Sequence, residues 1–338
     1  MPYGHVIEAD GQRFVAFTQG LQRGMENPHF EVVGWQGTYT TLPDGYTAYT
    51  GTTTYKLMGK QVQVSRQYPL STGSDTLDAM LGGGIDRGIT TILGPTGIGK
   101  STLATAIAMR HNGLFFSFAP QGPYEQQIGL IAKRFGWDIT TADETLLRHD
   151  GNAQADVGRT QISLDVDPRI LTADSFVSQG TINRQKIETF LQAHIMRAED
   201  ETQIPKLLVI DGVIDSHTER IIELYNMITP VMGNDFPVVA CVTCTNANWY
   251  QDMRDIPASS PMTEGTSYMI LGLLDTENPE YANRHLLRVM KARYAKPGAR
   301  IYGPAKVEYA IGYPDRLQIT RLSFEEIAKM GLNNESMP

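Results

Sequence analysis

The stretch Gly94-Pro95-Thr96-Gly97-Ile98-Gly99-Lys100-Ser101 constrains the fold of this chain more than any other segment. It has the form G-x-x-x-x-G-K-S, and such a loop functions only between a buried β-strand and a helix. The flanks supply both: Thr90-Thr91-Ile92-Leu93 is a short β-prone run, and Ser101 to Arg110 is helix-prone. The glycines let the backbone curl so that several N–H groups converge on one concave space, an arrangement suited to phosphate. Lys100 is expected to reach the β- and γ-phosphates of ATP, and the Ser101 hydroxyl to sit on Mg²⁺. Gly94, Pro95, Thr96, Gly97, Ile98, Gly99, Lys100, Ser101 and Thr102 form the expected nucleotide-binding set, aided by the dipole of the helix N-terminus.

The remainder of the chain fits an α/β protein. At 338 residues it has room for one large domain and a small one. From about residue 67 the pattern alternates: the strand before the loop, a strand at Leu114–Phe118, and a helix over 124–135 with Ile128, Ile131, Ala132 and Phe135 at helical spacing. A helix from Ile182 to about Ala198, a strand at Lys206–Ile210, a helix over 218–231 and a strand over 237–244 follow. Near-continuous apolar strands separated by helices predict a mostly parallel sheet with helices on both faces. The last strands, through about Ile319, lack intervening helices and predict an antiparallel edge. Residues 139–180 are polar and suggest no element. Residues 1–66 are rich in Gly, Thr, Tyr and Gln, with β-prone pieces at 13–17, 30–35 and 61–64, and predict a small β-rich module. The expected organisation is this module, a core over 67–321 and a tail over 322–338.

Charge and cysteine content narrow the function. The net charge is −8, which argues against a broad nucleic-acid-binding surface but allows a local basic groove. The cysteines are Cys241 and Cys244, spaced C-x-x-C on a predicted buried strand. Strand positions three apart face opposite sides of a sheet, so the pair is expected to be structural. No apolar run approaches the roughly 18 residues that span a bilayer, and the N-terminal octet lacks the basic and apolar regions of a signal peptide. A cytoplasmic protein with no membrane partner is expected.

Asp211 ends the apolar run Leu207-Leu208-Val209-Ile210 about a hundred residues after the loop. An acidic residue at the carboxyl end of such a strand is the Walker B pattern, which orients Mg²⁺ against the phosphates. Asp215, His217 and Glu219 lie close by, within reach of a ligand, and read more readily as solvated loop residues.

The residues before the loop, Ser71-Thr72-Gly73-Ser74-Asp75-Thr76-Leu77-Asp78-Ala79-Met80-Leu81-Gly82-Gly83-Gly84-Ile85-Asp86-Arg87-Gly88, resemble the S-T-G-x-x-x-L-D-x-x-L-G-G-G lead-in of the RecA superfamily. That group includes RecA, RadA, their phage counterparts and KaiC. Phe135-Gly136-Trp137-Asp138 looks like KaiC, and Val289-Met290-Lys291-Ala292-Arg293-Tyr294-Ala295-Lys296-Pro297 looks like the K-x-R segment of RecA and KaiC. The resemblance covers about residues 68–320. It implies a RecA-like ATP-binding core that assembles with itself as a ring or filament, with ATP at subunit boundaries. By motif match Lys291 and Arg293 would reach the neighbouring subunit's ATP. Cations placed there stabilise charge developing on the γ-phosphate.

One position departs from the family. Its members carry a glutamate directly after the second strand, where this chain reads Ala119-Pro120-Gln121-Gly122-Pro123. Neither alanine nor proline can act as a base. Gln121 is the candidate for orienting a water without deprotonating it, and Glu125 stands on the next helix. Thr243, Thr245 and Asn246 fall where the family senses the γ-phosphate. Trp249, Tyr250 and Arg254 fall where recombinases contact DNA, and suit base stacking and phosphate contact.

The resemblance implies a DNA-dependent ATPase of the recombinase type, active in DNA recombination and repair as an oligomer on single-stranded DNA. A KaiC-like regulatory or scaffolding ATPase and a hexameric ring helicase use the same core. The missing glutamate leaves efficient hydrolysis open.

Overall fold

In the computed structural model of the chain every residue of the strand Ile89–Gly94 is buried, as a strand covered on both faces requires. The structure describes residues 3–9, 12–18, 30–41, 47–57, 60–119, 124–135, 141–142, 144, 154–157, 160–163, 167–197, 204–234, 236–244, 269–274, 285–292, 305–309 and 317–321. The strands are β1 (Tyr3–Ala9), β2 (Gln12–Thr18), β3 (Phe30–Thr41), β4 (Thr47–Leu57), β5 (Lys60–Tyr68), β6 (Ile89–Gly94), β7 (Leu114–Ser117), β8 (Gln154–Val157), β9 (Thr160–Ser163), β10 (Ile170–Thr172), β11 (Val177–Ser178), β12 (Thr181–Ile182), β13 (Leu208–Ile214), β14 (Val238–Thr243), β15 (Met269–Leu274), β16 (His285–Ala292), β17 (Ala305–Tyr309) and β18 (Leu317–Arg321). The helices are α1 (Asp75–Leu81), α2 (Lys100–Met109), α3 (Tyr124–Phe135), α4 (Ala173–Phe176), α5 (Arg184–Arg197) and α6 (Glu219–Met232).

Among the described residues the main sheet has nine strands in the order β10-β7-β13-β14-β6-β15-β16-β17-β18. Strands β10, β7, β13, β14, β6 and β15 pair in parallel. From β15 onward the pairing is antiparallel. The mostly parallel α/β sheet with an antiparallel edge is therefore present, as is the β-rich N-terminal module. The edge strand β10 comes from the polar stretch that suggested no element, because three residues carry no periodic signal.

Side chains alternate between two cores, one on each face of the sheet. Leu208, Ile210, Val238, Ala240 and Val242 pack with Ile187, Leu191, Leu224 and Ile228 of α5 and α6. Val209, Val239, Ile92 and Phe115 pack with Leu77, Leu103 and Ile107 of α1 and α2. The period of two in the strands thus feeds both helical layers. Cys241 belongs to the second core and Cys244 to the first, and the two are not joined by a disulfide.

The N-terminal strands β3, β4 and β5 form an antiparallel sheet of their own. Strand β5 runs through residue 66, and its last residue, Tyr68, is buried with Tyr49 in the core beneath α1 and α2. The sheet also finishes helix α6. The last carbonyls of a helix have no partner within it. Here Val231 O accepts from Tyr55 Oη at 2.9 Å, and Met232 O accepts from Arg66 Nη1 at 2.9 Å and Thr53 Oγ1 at 3.3 Å. The Arg66 charge also suits the negative end of the helix dipole. No helix among the described residues is long and apolar enough to cross a membrane.

Candidate nucleotide site

The loop after β6 is built from conformations that only glycine adopts readily. Gly97 and Gly99 have φ of 79° and 88°. A β-carbon on Gly97 would meet no heavy atom within 4 Å, so φ rather than crowding is what favours glycine there. Gly99 is the N-cap of α2, and no side chain caps that helix end. The start of α2 and its dipole therefore lie at the loop, the place where a helix N-terminus favours phosphate.

Lys100 is buried, with 6% of its surface exposed, and its Nζ donates to Pro95 O at 2.5 Å across the loop. Ser101 Oγ donates to Asp211 Oδ1 at 2.8 Å. Asp211 is itself only 5% exposed and stands opposite Ser117 in the β13–β7 ladder. The structure thus brings together the loop serine and the acidic strand end, 110 residues apart in sequence. These hard oxygen donors fit Mg²⁺, which is commonly held by one or two carboxylates together with substrate phosphates.

Two polar residues are buried near the site, and sequence reading gave Gln126 no role. Gln126 of α3 is 1% exposed and its Nε2 donates to Asp211 Oδ2 at 2.5 Å. Asp215 is 5% exposed, so it departs from the solvated-loop expectation. The chain turns there into a short 3₁₀ segment, Asp215–His217, which carries Asp215 inward. His217 and Glu219 do remain exposed and pair with each other at 3.3 Å. Burial pushes the Cys244 thiol up to about 11; the Asp215 carboxylate pushes the same way and Lys100 opposes it. Asp215, Lys100 and Cys244 therefore share one electrostatic neighbourhood.

Of the expected γ-phosphate sensors, Thr243 pairs in register with Gly94, the first residue of the loop, and with Ile214. Thr245 and Asn246 lie outside the described residues. So do Gln121, Pro120, Arg293, Trp249, Tyr250 and Arg254. Lys291 lies on β16 opposite Ile270 of β15. Ala119 follows β7, and the preceding residue, Phe118, donates its N–H to Asp211 O at 2.8 Å.

The S-T-G lead-in is organised around one carboxylate. Asp78 accepts from Ser71 Oγ at 2.6 Å, Thr72 N at 2.7 Å and Thr72 Oγ1 at 2.6 Å. His111, just past α2, donates from Nε2 to Ser71 O at 2.6 Å. The motif therefore braces the far end of the helix that begins at the phosphate loop.

A phosphate loop opening onto a parallel sheet, with an acidic strand end against the loop's serine, defines a P-loop nucleotide-binding core. No protein-family model matches the chain. Among curated proteins, the DNA repair protein RadA of Mycolicibacterium smegmatis is 31% identical over 159 residues, 43% of this chain and 32% of RadA. The DNA repair and recombination protein RadB of Thermococcus sibiricus is 56% identical over 80 residues, 23% of this chain and 35% of RadB. The chain thus spans about a third of the length of these relatives. A crystal structure of a RadB recombinase superimposes with a TM-score of 0.42 at 16% identity, covering 74% of this chain and 98% of that one. These sequence similarities support a RecA/RadA-like P-loop ATPase core.

Proposed function

We propose that the chain binds ATP with Mg²⁺ at the Gly94–Ser101 loop and works as an oligomeric, DNA-dependent ATPase of the recombinase type on single-stranded DNA. The observation that carries the nucleotide part is the 2.8 Å contact between Ser101 Oγ and Asp211 Oδ1 beside the glycine loop. The DNA part is supported by the relatives named as DNA repair and recombination proteins.

In this reading the loop N–H groups and Lys100 bind the triphosphate, and Ser101 and Asp211 hold Mg²⁺. The cation, when bound, neutralises charge on the β- and γ-phosphates. Lys291 and Arg293 reach across to the nucleotide of a neighbouring copy, and Gln121 orients the attacking water. Ala119, which follows β7 where the family carries glutamate, favours slow turnover. It supports a second reading, a KaiC-like regulatory or scaffolding ATPase that acts through protein partners.

The test is ATP turnover by the full chain with and without single-stranded DNA, beside Lys100→Ala. Turnover that rises several-fold with DNA and disappears in the variant supports the first reading. Turnover indifferent to DNA, or bound nucleotide without turnover, supports the second. Failure to bind nucleotide at all overturns both.

A further inference from the structure

We infer that Gln126 is a positioning residue: its side-chain amide holds the Asp211 carboxylate in the orientation that Mg²⁺ binding requires. The inference rests on the Mg²⁺–nucleotide reading of the site.

A carboxylate at the end of a strand turns about its side-chain bonds unless both oxygens are engaged. Here both are. Ser101 Oγ occupies Oδ1 at 2.8 Å from the loop side, and Gln126 Nε2 occupies Oδ2 at 2.5 Å from α3. An ionised carboxylate only accepts, so this contact fixes which end of the Gln126 amide faces it. The two donors pin the plane of the carboxylate, leaving Ser101 and Oδ1 together at the loop.

The chemistry of the amide matters as much as its position. Lysine or arginine at residue 126 would hold Asp211 as firmly but would cancel the charge that attracts a cation. A neutral amide orients the carboxylate and leaves that charge intact. Gln126 and Asp211 are 1% and 5% exposed, so water does not readily replace the amide once it is gone. The neighbouring residue fixes the helix that supplies it: Gln127 Oε1 accepts from Asp167 N at 2.9 Å, tying α3 to the turn before β10. Adjacent glutamines thus tie α3 to β13 and to the turn before β10.

The experiment measures binding of a fluorescent ATP analogue to the full chain, first in EDTA and then across a Mg²⁺ titration. Wild type is compared with Gln126→Met, which keeps the volume and removes the donor. Gln126→Asn, which withdraws the amide by one methylene, serves as a second variant should the first not fold. The expected result is metal-free affinity within about twofold of wild type, with the Mg²⁺ concentration for half-maximal response raised about tenfold. A role in packing alone would not separate these two quantities. A folded variant with the wild-type Mg²⁺ half-point overturns the inference and leaves the nucleotide reading standing. Wild type that binds no analogue, or shows no Mg²⁺ response, overturns the nucleotide–metal reading itself and the inference with it.

Discussion

Gly212 and Ala119 meet backbone to backbone: a β-carbon on Gly212 would lie 2.3 Å from the Ala119 nitrogen. Gly212 has φ of 78° and sits where β13 shifts register against β14, between Ile210 and Val213. Together with the Phe118 N–H to Asp211 O bond, this clamps the segment leaving β7 to the strand end that carries Asp211. The residue at position 119 is therefore held against the backbone of the strand that carries Asp211.

Gly212→Ala should destabilise the protein. The left-handed backbone costs about 1–3 kcal/mol for a residue with a side chain, and the collision with Ala119 adds to it because a main chain cannot swing aside. Urea unfolding of both proteins measures the difference. A wild-type midpoint would show that the clamp yields freely.

Ala119→Glu should raise ATP turnover. If the absent carboxylate limits the chemistry, a base at this position adds about 10²-fold, the low end of what a positioned base supplies. Steady-state kinetics should show the gain in kcat rather than KM. An unchanged kcat would mean that turnover is limited elsewhere.

The end of α6 depends on the N-terminal sheet. Tyr55→Phe removes the donor to Val231 O and leaves a buried carbonyl unpaired, at about 1–3 kcal/mol. Arg66→Met removes the shorter of the two donors to Met232 O and leaves Thr53 Oγ1 at 3.3 Å, so it should cost less than Tyr55→Phe. Because these carbonyls are neighbours, the double variant should depart from the sum of the single ones in denaturant titrations. Additive losses would indicate that the two contacts act separately.

Cys244 should resist alkylation in the native protein at neutral pH, because the thiolate is the reactive form and burial pushes its formation up to about 11. The shift also bears on stability. Its contribution is intact below the ordinary thiol range. It falls as pH rises toward about 11, since the unfolded chain loses its proton first. Iodoacetamide rates measured against pH, with Asp215→Asn alongside, check this. Removing the Asp215 charge should move the reactive form to lower pH, and an unmoved profile would break the link between the two residues.

Much of the core was legible because its signals are local. The loop glycines, the apolar run before Asp211 and the helical spacing over 124–135 each sit within one element, and α3 spans Tyr124–Phe135. The alternation along β14 likewise put Cys241 and Cys244 in opposite cores. What escaped depends on partners far away in sequence. Gln126 looks like a solvated helical residue until Asp211 arrives 85 positions later. Asp215 looks exposed until a short 3₁₀ turn carries it inward. Tyr55 and Arg66 look like any Thr- and Tyr-rich strand until α6 presents its last carbonyls.

That last contact sets an order on the making of the molecule. Tyr55 precedes Val231 by 176 residues, and at a translation rate of about 5–20 residues per second the wait is roughly ten to thirty seconds. During that interval the nascent chain already carries β4 and β5, and the inner face with Tyr49, Tyr55 and Tyr68 has nothing to cover it until the rest of the core emerges. The sheet of β4 and β5 is completed by a helix that comes far later in the chain, so an element made early finds shelter only from one made much later.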